Sequence, residues 1–441
     1  MGTLGWEVKD AQFTKLSGLT TKQGEKILLR AESAAQKLKL RAAFIPHPGH
    51  IEVDCELEDT SGSDRAVVVS FRLPFDAIGW TWFTDIHERE TIEQTRAYHF
   101  GYKTAKFPQR AKFNFILYRH DPRWGMRSAA QRYYRFYPQS FKKRTTYEGY
   151  LNYAGLERYD PATHQLGSAG RELKDASDFG EGFNFIGHMH GWYLIFHVYK
   201  HPAISDVIAR VERGNWDCDN PARVDRFMRT MGYQKIWRFF YTPKGGDEEV
   251  RHFFRRDLAY AIFPFRLSAS NRHLYRKYVP ATEKLSAAGW EPVPYARGSD
   301  ESVVIERFGT FADRDLHFTL RNHGKRPKKT RVTLDSKALG ISAASLKPLS
   351  AVDLLSNQTL PLRDGAFTVT VDGDGSLALR VATAEGHAQY ALRQADEGLR
   401  RIERMFATEL TKANHAMIAA ARQRLEQSRG GSSGALLAAA E

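Results

Sequence analysis

Carboxylates, indoles and imidazoles capable of chemistry gather in the middle third of this chain. In SDFGEGFNF, Asp178 and Glu181 stand just ahead of an apolar run, flanked by Gly180 and Gly182, which let backbone or a ligand come close. In GNWDCDNP, Asp217 follows a strand-like run and adjoins Trp216. A carboxylate beside an indole suits a sugar, whose ring face stacks on the aromatic while the acid reaches a hydroxyl or the glycosidic oxygen. Hydrolysis of a glycosidic bond generally needs two carboxyl groups, one to protonate the leaving oxygen and one to attack or to activate water, at about 5 Å or about 6.5 to 9.5 Å separation. Asp217, Glu181 and Asp178 are the candidate catalytic residues on this reasoning. Asp178 and Asp219 equally suit caps of turns or helices, and Glu181 a solvent-facing position. Glu148 in YEGY is a further acid of the same segment, and Asp257, among the arginines of a helical stretch, is expected to form ion pairs at the surface.

The stretch GFNFIGHMHGWYLIFHVYKHP, Gly182 to Pro202, holds four histidines and no carboxylate. On a strand His188 and His190 project to one face, as two imidazoles sharing a metal ion do. Such a site needs a third protein ligand, and His197 and His201 lie too near in sequence to come from a well-separated strand. No metal and no cofactor is therefore assigned. Two readings remain: imidazoles hydrogen-bonded inside a groove, or His188 and His190 lining a sugar pocket with Trp192, Tyr193 and Trp216. Gly187 and Gly191 bracket HMH, which suits a bulge or a close ligand approach. No phosphate-binding loop and no Gly-rich dinucleotide fingerprint occurs; GDGS follows a strand pattern but opens another strand.

The elements that must position these residues fall into blocks. From Leu40 to Ile92, HIEVDCELED, RAVVVSFRLPF and GWTWFTDI alternate apolar and polar residues as antiparallel strands with one buried face do, and KFNFILYRH continues them. The period then changes. Trp124, Ala129, Tyr133, Phe136 and Tyr137 follow helical spacing up to Pro138. From Thr145 to about Arg266 apolar runs alternate with helical ones, VDRFMRTMGY and VRHFFRRDLAY forming a weak repeat closed by Pro243 and Pro264, an α/β pattern. After Ala296 strands return at about ten-residue spacing, a pattern typical of a sandwich. DGDG (Asp372 to Gly375) is expected to be a hairpin turn, since no ladder of acidic ligands follows it. A stripe of Leu392, Leu399, Ile402, Phe406, Leu410, Ala413, Met417, Ala421 and Leu425 describes one long amphipathic helix. The expected division is a β-sandwich over 1–120, a linker helix over 121–144, an α/β domain over 145–296, a second β-sandwich over 297–384, the long helix over 385–427 and a tail over 428–441.

The 441 residues carry a net charge of +14, which makes an anionic polymer worth weighing as a partner. The basic residues are dispersed, however, and the one dense cluster, GKRPKKTR, lies between LHFTL and VTL as a solvated hairpin turn would. Nucleic acid is not expected as a partner, nor a membrane, since no run of about 18 apolar residues occurs. Cys55 and Cys218 lie far apart and are expected to be buried thiols. The opening MGTLGWEVKD lacks a secretory pattern. A cytoplasmic location is expected, or an extracytoplasmic one if residues precede this start.

RHDPRWGMRSAAQRYYRFYPQSFKKR, LYRKYVPATEKLSAAGWEPVPYAR and the following VIERFG resemble a glycoside-hydrolase-like family that joins an N-terminal β-supersandwich, a central (β/α) barrel and a C-terminal β-sandwich. GWTWFTDIHERETI is similar to that family's sandwich segment and FFRRDLAYAIFPF to its last barrel helix. The resemblance runs from about Leu40 to Ala382. It implies a multidomain α and β protein comprising a β-sandwich, a barrel-like domain, a second β-sandwich and the long helix. Thr145 to Ser268 spans about 124 residues, whereas a closed eight-fold barrel takes about 250, so the barrel is expected to be shortened. The family's aspartate in a D-S motif at a strand end has no counterpart here, and its catalytic aspartates are not carried over. The implied function is hydrolysis of glycosidic bonds by paired carboxylates. The alternatives are a non-catalytic carbohydrate-binding or assembly protein of the same architecture, and an incomplete gene product. A glycan is the expected partner; the stripe of the C-terminal helix is expected to pack across the β domain, the alternative being self-association with another copy of the chain.

Overall fold

The computed structural model describes residues 5–9, 13–62, 68–72, 78–83, 86–87, 89–91, 100–103, 110–138, 159–160, 165–166, 171–172, 226, 229–230, 233, 237–238, 246–263, 269–346, 348–405 and 412–428. Its contacts divide the chain into two units, Met1–Ala129 and Ala130–Glu441.

In the first unit β1 (Gly5–Lys9), β2 (Phe13–Gln23), β3 (Lys26–Ser33), β4 (Leu38–His47), β5 (His50–Asp59), β6 (Val68–Arg72), β9 (Phe100–Lys103) and β10 (Arg110–Tyr118) form one eight-stranded sheet in the order β10-β5-β4-β3-β2-β1-β6-β9. β7 (Thr81–Phe83) and β8 (Arg89–Thr91) pair separately. The alternation sets the register: Leu40 opposes Leu57 and Ala42 opposes Cys55 on the apolar face. The intervening positions set Lys39 opposite Glu58 and Arg41 opposite Glu56. Ala31, Leu38, Leu40, Ala42, Val53, Cys55 and Leu57 form the buried cluster. Burial, with the Asp54 carboxylate next, pushes the Cys55 thiol up to about 12. Strands begin well before Leu40, and the long β2 joins two groups of them: Phe13–Leu16 pairs with β1, which continues to β6 and β9, and Ser17–Gln23 pairs with β3, which continues to β4, β5 and β10. The expected helix before Pro138 is α1 (Met126–Phe136).

The second unit begins with three short antiparallel strands, β11 (Tyr159–Asp160), β12 (Gln165–Leu166) and β13 (Arg171–Glu172). β14 (Trp237–Arg238) and β15 (Ile262–Phe263) then pair in parallel, with α2 (Asp247–Ala259) between them in the chain. This is a β-α-β connection, the building block of α/β layers; no closed barrel is present among the described residues. The helix expected to run to Pro264 stops earlier. Tyr260 caps it, Ala261 takes a left-handed φ of 52°, and Ile262–Phe263 becomes strand. α3 (Arg272–Ala288), with Pro280 inside it, follows.

The C-terminal part contains two sheets. β16 (Trp290–Glu291), β18 (Val303–Phe308), β19 (Leu316–Asn322), β24 (Ser376–Thr383), β21 (Leu349–Asp353) and β22 (Thr359–Pro361) form one, in the order β16-β18-β19-β24-β21-β22. β17 (Ala296–Gly298), β20 (Lys328–Leu334) and β23 (Ala366–Val371) form the other. Leu316, Phe318, Leu320, Leu379 and Val381 of the first pack with Val332, Phe367 and Val371 of the second in one core. This is the sandwich expected from the sequence, with two additions.

First, the outer face of the larger sheet is covered. His317, Thr319 and Arg321 alternate with the core residues of β19 and are as buried as they are. Thr319 Oγ1 donates to the Ala259 carbonyl of α2 at 2.7 Å, and Ser376 Oγ to that of Arg255 at 2.5 Å. Asp257 of α2, expected at the surface, is only 2% exposed and lies 3.9 Å from Arg256 Nε. The physical reason is that α2 packs against β19 and β24 on one side and α3 on the other.

Second, neither DGDG nor GKRPKKTR is a hairpin. β19 and β20 lie in different sheets, as do β23 and β24, so both turns are arches across the sandwich, and Lys328 to Arg331 belong to β20 itself. Buried Asn322 ties the arches together: its Nδ2 donates toward the carbonyls of Arg326 (2.8 Å), Asp372 (2.9 Å) and Val371 (3.2 Å), while its Oδ1 accepts from Gly324 N. A Cβ at Gly373 would lie 2.1 Å from the Lys325 carbonyl oxygen, so the crossing requires glycine there.

The expected single C-terminal helix is two, α5 (Ala384–Met405) and α6 (Lys412–Ser428), the four-residue α4 (Ala343–Leu346) preceding them in the sandwich. Arg422 of α6 pairs with Glu403 of α5; one straight helix would hold residues that far apart at about 28 Å. The hydrophobic stripe is broken accordingly. Ile418 and Leu425 are buried, whereas Met417 is 71% exposed and Ile402 43%.

Candidate functional site

Asp178, Glu181, His188, His190, Trp192, Tyr193, Trp216 and Asp217 lie outside the described residues, as do Glu148, Asp219, His197, His201 and Cys218. No cluster of metal-ligating side chains occurs among the described residues.

The structure brings together a different set. Within the second unit, a cavity of about 430 Å³ is lined by Gln131, Tyr134 and Arg135 of α1, by Tyr233, by Glu291 and Arg307 from the edge of the larger sheet, and by Tyr295 just before β17. Local sequence explains the placement. Trp290 and Glu291 form the short edge strand β16, paired so that Glu291 opposes Arg307 and Trp290 opposes Phe308. Trp290 turns to the covered face, where its Nε1 donates to Glu306 Oε2 at 3.0 Å. Pro292 and Pro294 follow in EPVPY and cannot donate to a ladder, so the strand ends and Tyr295 takes a left-handed φ of 50°. The helical spacing that ends at Pro138 sets Gln131 and Tyr134 on neighbouring turns of α1.

Arg307 is fixed by three acceptors. Its Nε donates to Val293 O and its Nη1 to Gly309 O, both at 2.8 Å, and its Nη2 lies 3.3 Å from Glu291 Oε2. The guanidinium also sits 5.3 Å from the Tyr295 ring centre. Tyr295 Oη reaches Gln131 Oε1 at 3.3 Å. Tyr233 Oη donates to Glu291 Oε1 at 3.4 Å, and its ring stacks on Tyr134 at 4.0 Å. Both contacts of the Glu291 carboxylate are long. Burial raises its pKa above the usual carboxylate range, against the opposing pull of Arg307, Tyr233 and Arg135. Behind the site Arg229 lies 5.8 Å from the Trp290 ring, and burial lowers its pKa to about 10.

An uncommonly basic carboxylate set among phenols and an amide, in a cavity of ligand size, can accept hydrogen bonds from hydroxyls and hold or release a proton. One carboxyl does not make the acid-and-base pair of glycoside hydrolysis. Glu291, Tyr295 and Arg307 fall outside the sequence-based candidates, which gather in the middle segment where carboxylates and indoles adjoin. The signal was present in the close succession of GWEPVPYAR and VIERFG, which set one acid and one arginine on adjoining short strands.

No protein-family model matches the chain, and no curated protein matches it. Among solved structures, alpha-galactosidase I from Mortierella vinacea is similar at 17% identity and a TM-score of 0.24, over 32% of this chain and 37% of that one. The chain thus spans little more than a third of that protein's length.

Proposed function

We propose that this chain is a glycoside-hydrolase-like, carbohydrate-active protein whose glycosidic-bond chemistry belongs to Asp217 with Glu181 or Asp178, its glycan held by Trp216, Trp192, Tyr193, His188 and His190. The observation that carries the reading is the order of parts. An antiparallel sheet, a parallel β-α-β connection and a two-sheet sandwich follow one another along the chain, the succession that the family resemblance implies. In this reading the middle segment supplies a partial barrel. The test is release of reducing ends from a panel of glycans. Wild-type protein releases them and Asp217→Asn does not; absence of release from every glycan by folded wild-type protein removes the catalytic reading.

A second reading, carbohydrate binding or assembly without catalysis, is favoured by one specific observation. About 124 residues between Thr145 and Ser268 are half of what a closed (β/α)8 ring takes, about 250. It expects glycan binding without release, and self-association through α5 and α6, on which Ile402 and Met417 stand exposed. Neither reading includes nucleic acid or a membrane as partner; no helix among the described residues is long and apolar enough to cross one.

A further inference from the structure

We propose that the cavity beside Glu291 is a second carbohydrate site, separate from the acids of the middle segment, which takes one neutral sugar unit through hydrogen bonds from its hydroxyls to the Glu291 carboxylate and contact of its ring with Tyr295. The ligand class follows from the cavity itself, so the proposal does not rest on catalysis by Asp217, Glu181 or Asp178.

Three physical considerations select that class. An ionised carboxylate offers about four lone-pair directions, and here the two protein contacts, 3.3 Å from Arg307 and 3.4 Å from Tyr233, are both longer than a charge-assisted bond ordinarily is. The group is therefore half-buried yet underused, as an acceptor awaiting hydroxyl donors would be. An anionic ligand is disfavoured because it would lie against the Glu291 carboxylate, while Arg307 already gives three of its five N–H donors to Val293 O, Gly309 O and Glu291. A cationic ligand is disfavoured because Arg307 and Arg135 already bear on Glu291. What remains is a neutral polyol of a size that about 430 Å³ admits, one or two sugar rings. Tyr295 adds the ring surface. It is held in a left-handed backbone conformation with φ of 50°, which costs about 1–2 kcal/mol in a residue with a Cβ, and such strain collects where a side chain must be aimed.

The carboxylate accepts from hydroxyls more strongly than the neutral acid does, so affinity falls as pH is lowered through the raised titration of Glu291. The charged and titratable groups that bear on it are Arg307 on β18, Arg135 on α1, and Tyr233.

The experiment is calorimetric titration of the full chain, in an Asp217→Asn background so that no ligand is consumed, with glucose, galactose, mannose and their common disaccharides, and with glucuronate and glucosamine as charged controls. The expected result is binding of at least one neutral sugar, weakened about tenfold by adding Glu291→Gln, as replacing a charged acceptor by a neutral one does, and weakening in the parent but not in the Glu291→Gln protein as pH falls from 7 to 4.5. A Gln131→Ala change supplies the same comparison if Glu291→Gln alters the melting profile. Binding that ignores both substitutions, tighter binding of glucuronate or glucosamine, or no binding of any sugar overturns the proposal. Lack of glycan hydrolysis by wild-type protein bears on Asp217 and leaves this site untouched.

Discussion

Glu291 and Asp257 show how far a side chain's chemistry depends on what covers it. Asp257 sits among arginines in the sequence and Glu291 does not, yet packing that the local pattern does not announce takes Asp257 out of water and half-buries Glu291. The same holds for the imidazoles of the sandwich. His317 is fully buried, and burial, with the Arg380 charge next, lowers its pKa to about 3; the same two causes lower His387 to about 4. Their neighbours are Arg380 on β24, Lys284 on α3, Asp315 before β19, and Tyr390 and Arg393 on α5. Arg380 Nη1 donates to His387 Nδ1 at 3.0 Å, and His387 Nε2 donates to Ser350 O at 3.2 Å. Protonating Nδ1 would set a second cation against the guanidinium. Both folded-state pKa values lie below the ordinary 6.5. The unfolded chain therefore binds more protons in this window, and stability is fully present above pH 6.5 and lost as pH falls toward 4. His387 alone accounts for roughly 3 kcal/mol by pH 4. Urea unfolding at pH 7 and pH 4.5 is expected to show a large drop in midpoint, reduced in His387→Gln; equal midpoints at the two pH values would exclude this account.

At the scale of elements, strands were legible and their surroundings were not. Alternation in HIEVDCELED and LHFTLRN marks strands correctly because a period of two forces side chains to opposite faces. It also suggests that His317, Thr319 and Arg321 face water, whereas α2, α3 and α5 lie over that face. Turn residues were recognised as turns, but Gly-rich composition does not say whether the next strand joins the same sheet. The C-terminal stripe forms two helices and not one for a related reason: a stripe continued through Phe406 and Leu410 matches both a straight helix and two that fold back. The arches offer a sharp test. Removing the Asn322 amide takes a donor from the buried contact to Val371 O and from the part-buried contacts to the carbonyls of Arg326 and Asp372, the last of which also accepts from Gly375 N; a buried acceptor left without a donor costs about 1–3 kcal/mol. Asn322→Ala is expected to lower unfolding free energy by about 3 kcal/mol in chemical denaturation; a change under about 0.5 kcal/mol, the scale of ordinary surface substitutions, would show that the arches are held by other contacts.

For the whole molecule, the most self-contained portion is its C-terminal half. The sandwich core, both its sheets and the helices α2, α3 and α5 that roof the larger one all lie between Gly246 and Ser428. A fragment of those residues is expected to fold alone, with a cooperative thermal transition and dispersed amide signals; a non-cooperative melt would mean that residues before Gly246 are needed to complete it. The candidate acids of the middle segment could be chosen from chemistry alone, since spacing of carboxylates and indoles is local. The Glu291 cavity could not, since Gln131, Tyr233, Glu291 and Arg307 meet only through tertiary packing.

The arched connections also bear on how this half of the protein comes together in time. In the three-stranded sheet every pairing is remote in the chain, from Thr333 with Ala366 at the nearest to Lys328 with Val371 at the farthest. No neighbouring pair of strands can zip up first and serve as a seed for the rest. Closure of long loops must precede any gain from backbone pairing, so this sheet is set to assemble late and slowly, behind the β18–β19 ribbon, leaving β20 and β23 the segments most open to wrong partners during synthesis.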